Sequence, residues 1–228
     1  MGKRWDTWIL GGLTLATAAL AGVMLWRGGT TWLEAASFVT GAVCVWLTVK
    51  ENVWNFPIGL VNDATFCMVF FGSRLFADAN LQVVYFVLGV IGWYLWLYGG
   101  EKRTELHIAR ASKLENVLVG MGVVAMTVGM WQTLHFVGGS ASFWDALTTA
   151  ISLGAQWLLN KKRLENWLLW ILADIIYVPL YAYKHLYLTS FLYAVFLIMA
   201  VMGYFQWRGR WQRQKAPAAA PVLEASAT

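Results

Sequence analysis

Eight apolar runs, at about 7–26, 32–49, 54–71, 81–98, 116–137, 143–159, 166–183 and 190–207, fill most of this chain of 228 residues. A helix needs about 20 mostly apolar residues to cross the hydrocarbon core of a bilayer, and each run is close to that length. Only 13% of the residues are charged and 59% are hydrophobic. A soluble domain carries about 25% charged residues, so a soluble single-core enzyme is excluded. High apolar content and glycines without a fixed period also exclude a disordered or collagen-like chain. The expected fold is an all-α polytopic membrane protein with eight transmembrane helices.

The connections are short, except for GGEKRTELHIARASKLE before the fifth run, and leave no room for a separate soluble domain. If every run spans, the connections alternate between two sides. Fourteen of the 17 Lys and Arg then fall on the side of both termini, and only Arg27, Arg74 and Lys184 on the other. The positive-inside rule assigns the basic side to the cytoplasm, with both termini there. Basic residues scattered between apolar runs are topology signals and do not form a nucleic-acid patch. The Ala/Pro-rich ending, 210–228, reads as a disordered tail. MGKRW and Ala19-Leu20-Ala21 also resemble a cleavable signal peptide, but the apolar stretch runs on to Trp26, which favours a retained helix.

Of the 15 tryptophans, Trp5, Trp8, Trp26, Trp32, Trp54, Trp93, Trp96, Trp144, Trp207 and Trp211 fall near span ends, as an interfacial belt would place them. Cys44 and Cys67 lie in apolar runs without CxxC or metal spacing and read as small packing residues. His107, His135 and His185 have no partner at metal or triad spacing, and no GxSxG, HExxH or Walker loop occurs. Neither a cofactor, a metal site nor an enzyme activity is expected.

Laid on itself at an offset of 111, the sequence matches 32–96 with 143–207 at twelve of 65 positions, without a gap. Shared Leu and Val are cheap in apolar helices. Asn55/Asn166, Asp63/Asp174 and the paired Gly92-x-x-x-Trp96 and Gly203-x-x-x-Trp207 endings are not. Each repeat holds three helices, and one linking helix returns the chain to its starting side. The predicted plan is therefore parallel, three plus one plus three, with an extra N-terminal helix. Its parts are an extra helix (1–30), a first repeat (31–100), a basic loop and linker helix (101–140), a second repeat (141–209) and the tail (210–228).

Asp63 and Asp174 are the two clear cases of an ionisable residue deep inside a span, each eight residues past its Asn, about 12 Å into the membrane at 1.5 Å per residue. Such residues face the bundle interior or a water-filled path. Asn166, Trp170, Asp174, Tyr177 and Tyr181 share one helical face, and Asn55, Gly59, Asp63, Phe66 and Phe70 its counterpart. One side thus offers rings where the other leaves room at a glycine. Gln82, Tyr85, Trp93 and Tyr193 are candidate walls. The competing reading is that these groups only bond helix to helix. For Asn55 and Asn166 it is a helix cap. Pro179 lies mid-helix, where a kink is expected, and Pro57 in a first turn, where proline is tolerated.

WNFPIG, ADANLQ and ENW, within blocks 54–96 and 165–207, resemble the signature of the PnuC family of vitamin B3 transporters, and the resemblance extends over 32–207. It implies gradient-driven passage of nicotinamide riboside across the bacterial inner membrane with trapping by a cytoplasmic kinase. A fold like that of the SWEET sugar transporters and a homotrimer are also implied. The extra N-terminal helix departs from the family's seven-helix plan. Trp and Tyr faces suit the cationic pyridinium ring, and Gln, Asn and Asp suit the amide and hydroxyls. The buried aspartates keep a proton-coupled transporter open as an alternative, and the long basic loop a membrane-bound vitamin sensor.

Overall fold

The computed structural model describes residues 2–72, 76–137, 142–183, 185 and 187–215. Eight long helices occupy the eight apolar runs: α1 Gly2–Trp26, α2 Trp32–Val49, α3 Asn55–Gly72, α4 Phe76–Tyr98, α5 Lys113–Val137, α6 Ser142–Asn160, α7 Asn166–Tyr183 and α8 Tyr187–Lys215. Among the described residues, six of them are long and apolar enough to cross a membrane. The two that fall short, α3 and α6, carry Asn62, Asp63 and Thr65, and Asp145, Thr148, Thr149, Ser152 and Gln156. Their apolar deficit is the polar lining they bring to the interior.

Local chemistry sets the ends. Thr31 and Glu34 form a reciprocal capping box at the start of α2, satisfying two amides that the first turn leaves unpaired. Ser112 accepts the Glu115 amide at 3.0 Å and starts α5 in the same way. After α2 and α6 the chain reverses through left-handed residues, Glu51 (φ 60) and Lys162 (φ 49), which are counterparts at the offset of 111.

Packing follows chain order within each repeat, α2 on α3 on α4 and α6 on α7 on α8. The halves cross over, α2 meeting α8 and α4 meeting α6, while α5 rests on α6 and α1 on α2 and α8. The fullest core lies at the end holding the α2–α3 and α6–α7 turns. There Trp96 donates its indole N–H to the Leu159 carbonyl at 3.0 Å, and its counterpart Trp207 donates to Thr48 at 3.1 Å. The two acceptors are also 111 apart. Phe56 meets Trp96 edge-on at 5.0 Å, and Trp167 meets Trp207 edge-on at 5.4 Å. Edge-to-face pairs of this kind contribute about 0.5–1.5 kcal/mol each beyond their buried area. Glycine is obligatory beneath them: a Cβ at Gly92 would come within 2.5 Å of Phe56, and one at Gly203 within 2.6 Å of Trp167.

Charge closes the same end. Lys162, buried, pairs with Glu51 at 3.0 Å and lies 4.4 Å from the Trp96 ring centroid. Arg210 of α8 bonds the other Glu51 oxygen and the Lys50 carbonyl. Lys50 donates to Thr7 of α1; burial draws its pKa down, against the pull of Asp6 and with the Arg210 charge adding to the fall. The basic loop is pinned as well: Ala109 donates to Lys162 and accepts from Leu164, and Glu165 binds Arg110 and the Ala111 amide.

Three expectations change. Trp96 and Trp207 are not belt residues but the centre of the core, with Trp93 and Trp211 packed against it; their indole N–H groups find backbone carbonyls in the other half instead of headgroup water. Trp8, Trp26, Trp32, Trp54 and Trp144 are exposed, as a belt requires, and the Trp5 side chain lies outside the described residues. Second, α8 continues to Lys215, past the boundary expected at 210, and 216–228 lie outside the described residues. Third, α4 starts at Phe76, five residues before its apolar run, because alanines such as Ala77 and Ala79 favour helix beyond the hydrocarbon as well as inside it. Arg74 and Lys184, two of the three opposite-side cations, lie outside the described residues.

Replacing Glu51 by Gln leaves Lys162 and Arg210 facing each other without their carboxylate. Removing one partner of a buried pair costs about 3 kcal/mol or more, so E51Q should show a clear fall in thermal midpoint in detergent. K161Q, at the surface, should cost at most about 1 kcal/mol. Equal midpoints for E51Q and wild type would refute the role of the pair.

Candidate substrate site

Asp174 is 3% exposed, on the inward face of α7. Asp63, its counterpart on α3, is half-buried. No salt bridge joins either to Lys or Arg among the described residues. An unpaired carboxylate at this depth is expensive to keep, which points to use.

Three tyrosines from α7 and α8 form one aromatic wall. Tyr177 stacks on Tyr181 at 5.4 Å and 16°, Tyr193 lies 4.6 Å from Tyr177 and 5.0 Å from Tyr181, and Phe196 meets Tyr193 edge-on at 5.6 Å. Asp174 is within electrostatic range of Tyr177 and Tyr193. Tyr85 of α4 faces the wall from the other half, close to Asp63, Tyr177 and Tyr181. Both aspartates and all four tyrosines thus converge on one volume between α3, α4, α7 and α8.

One further side was missed from sequence. Thr148, Thr149 and Ser152 of α6 bring their hydroxyls beside Tyr177, and Ser152 also neighbours Tyr85. Thr148, Ser152, Gln156 and Asn160 repeat at every fourth position, a stripe visible in the sequence once polar residues are sought on the helix preceding the aspartate helix. Its far end is structural, since Asn160 donates to the Leu88 carbonyl at 2.8 Å and accepts from Gln156 at 3.0 Å.

Other expected residues stand elsewhere. Asn55 and Asn166 each donate to the carbonyl three residues back, Asn52 and Arg163, so they brace the turns that start α3 and α7. Trp170 and Trp93 pack against the buried indole core. Gln82 is half-buried on α4, three residues before Tyr85. The room expected at Gly59 is bounded by Cys44, whose sulfur lies 3.3 Å from where a Cβ would stand. The Phe70 side chain lies outside the described residues. α7 runs through Pro179, and Ser190 donates to the adjacent Val178 carbonyl at 2.8 Å.

Apolar helices long enough to cross a membrane, packed around a buried polar and aromatic volume, define the architecture of a membrane transporter. Residues 31–209 match the model of the nicotinamide mononucleotide transporter family, and the chain belongs to that family. It is 27% identical to the nicotinamide riboside transporter PnuC of Escherichia coli over 78% of this chain and 85% of the relative. With the PnuC of Haemophilus influenzae it shares 32% identity over 78% of this chain and 79% of the relative. The crystal structure of the vitamin B3 transporter PnuC shares its fold, with a TM-score of 0.72 and 23% identity over 90% of this chain and 92% of that one.

Structural and functional roles for Asp174 make opposite predictions. If the carboxyl is held for a ligand, D174N should leave the thermal midpoint unchanged or raised, because a neutral amide is easier to bury. Y193A, which opens the aromatic wall, should cost about 3 kcal/mol, and Y193F less than about 1 kcal/mol. A loss in D174N as large as in Y193A would mark Asp174 as a packing residue.

Proposed function

We propose that the protein carries nicotinamide riboside across the bacterial inner membrane, down its concentration gradient. The observation behind this reading is the make-up of the buried cluster, in which two aspartates and four tyrosines converge without lysine or arginine among the described residues. The riboside presents a flat pyridinium cation, an amide and ribose hydroxyls. Tyrosine faces attract such a cation by about 0.5–2 kcal/mol each, and the carboxylates accept from hydroxyl or amide donors. A mononucleotide would need Arg or Lys for its phosphate. The family description names the mononucleotide, but the side chains favour the riboside, as do the names of the E. coli and H. influenzae relatives.

For mechanism, the repeats at 31–100 and 141–209 act as two parallel three-helix units joined by α5, as in SWEET-like transporters, and rock about the cluster. The matched bonds of Trp96 and Trp207 support this pairing. The end holding Glu51, Lys162 and Arg210 is read as cytoplasmic from its excess of basic residues. Release inward then requires the two indole bonds and the Glu51–Lys162 pair to part. Phosphorylation in the cytoplasm keeps the gradient directed inward, and the working unit is a homotrimer.

Purified protein in proteoliposomes should take up labelled riboside above empty vesicles and ignore the mononucleotide; no uptake would refute the proposal. D174N and Y181A should each weaken riboside binding at least tenfold, whereas W170A should act mainly through stability. Asp63 and Asp174 would also suit a proton relay. Uptake that follows an imposed pH gradient would favour that mechanism over passive movement.

A further inference from the structure

We propose that the groove between α5 and α6 is a binding site for one anionic phospholipid, with its headgroup at the basic end of the bundle. The groove encloses about 570 Å³ and runs from Ser112 and Arg163 at one end to Met126 and Leu153 at the other. From Ser112 to Met126, fourteen residues of helix at 1.5 Å each extend about 21 Å. That is the thickness of one leaflet, half of a bilayer of about 40–45 Å including headgroups.

The lining changes along that length as a phospholipid does. At the turn end stand Lys161 and Arg163, with Glu115 in ion pairs to both at 3.2 and 3.0 Å. One carboxylate facing two cations leaves one positive charge uncompensated, and both cations remain about one-third exposed. Trp157, 42% exposed, carries the Lys161 ammonium 4.5 Å from its ring centroid, an arrangement suited to the headgroup level. Beyond Glu115 the lining is apolar. Gly122 forms an open floor, since a Cβ there would meet nothing within 4 Å.

The setting fits a lipid better than a soluble ligand. α5 packs against α6, and Leu114, Leu118 and Met121 of α5 are exposed to the surroundings. Basic pockets between transmembrane helices recognise anionic headgroups, at about 1 kcal/mol or fivefold for each net cation.

The test is native mass spectrometry of the full-length protein released from vesicles of equal phosphatidylglycerol and phosphatidylcholine. Wild type should retain phosphatidylglycerol about fivefold over phosphatidylcholine, one molecule per chain. G122F, which fills the floor without meeting a neighbour, should lose it. K161Q, which leaves Arg163 and Glu115 in balance, should bind both lipids alike, and R213Q, on the far part of α8, should match wild type. Equal retention of the two lipids by wild type, or undiminished phosphatidylglycerol on G122F, would overturn the proposal. So would a change in oligomeric state in G122F with the lipid count unchanged, because the groove would then be an interface between copies.

Discussion

Inside a bilayer a backbone carbonyl released from its helix has no water to turn to, and leaving it unpaired costs several kcal/mol. The Leu159 and Thr48 carbonyls, at the last turns of α6 and α2, each accept from a turn amide, Lys162 at 2.8 Å and Glu51 at 2.9 Å, and have one lone pair left to fill. Each is answered by an indole from the opposite half, Trp96 for Leu159 and Trp207 for Thr48. The exchange holds both halves in one register, because each buried indole N–H finds its acceptor in the other repeat. Everything else at this end builds on it. Gly92 and Gly203 let the rings Phe56 and Trp167 close in, and the left-handed turns at Glu51 and Lys162 bring opposite charges together over the indoles.

At Glu51 and Lys162 one internal pair of equivalent positions carries opposite charge, so the repeat is symmetric in backbone and complementary in side chain. The same holds nearer the middle. Asp63 and Asp174 are alike, yet Tyr177 and Tyr181 stand where the first repeat has Phe66 and Phe70, and Tyr85 where the second has Phe196. Exact symmetry would present two identical half-sites to a ligand that has no symmetry of its own. Divergence at the rings gives the volume a tyrosine wall on the second repeat and Tyr85 on the first, while the shared turns keep both halves in register.

Much of this was legible in the sequence, and the limits have physical causes. Apolar runs locate helices in lipid reliably, since backbone hydrogen bonds must be closed within each segment. The offset of 111 marked Asp63 and Asp174 because charge is rare enough in a span to carry information. Periodicity names the face of a helix but not the neighbour that the face meets. Trp170 and Tyr181 share a face on α7, yet one joins the indole core and the other the tyrosine wall, because they lie three turns apart along the axis. Tryptophan near a span end reads as interfacial by base rate. Trp96 and Trp207 break that expectation because each has a carbonyl of the other half within reach, information that only the packing supplies. The α6 hydroxyls were overlooked for a different reason. Thr and Ser can bond back to their own helix, as Thr148 does to Trp144 at 2.8 Å, so they raise no alarm in an apolar run.

The sealed end also bears on why the polar cluster tolerates unpaired carboxylates. The charges at that end are matched and hydrogen-bonded, and they sit where the chain turns, so their desolvation is offset locally. Asp63 and Asp174 have no such compensation among the described residues, and the hydroxyl row of α6 is directed at Tyr177 and Tyr85 rather than at them. A fold selected for stability alone would have replaced them with apolar or amide side chains. On the proposed function, a bound partner supplies the missing donors beside the tyrosine wall for part of the working cycle. A cationic ligand with hydroxyl and amide hydrogens does so without bringing a negative charge of its own, which a phosphate would.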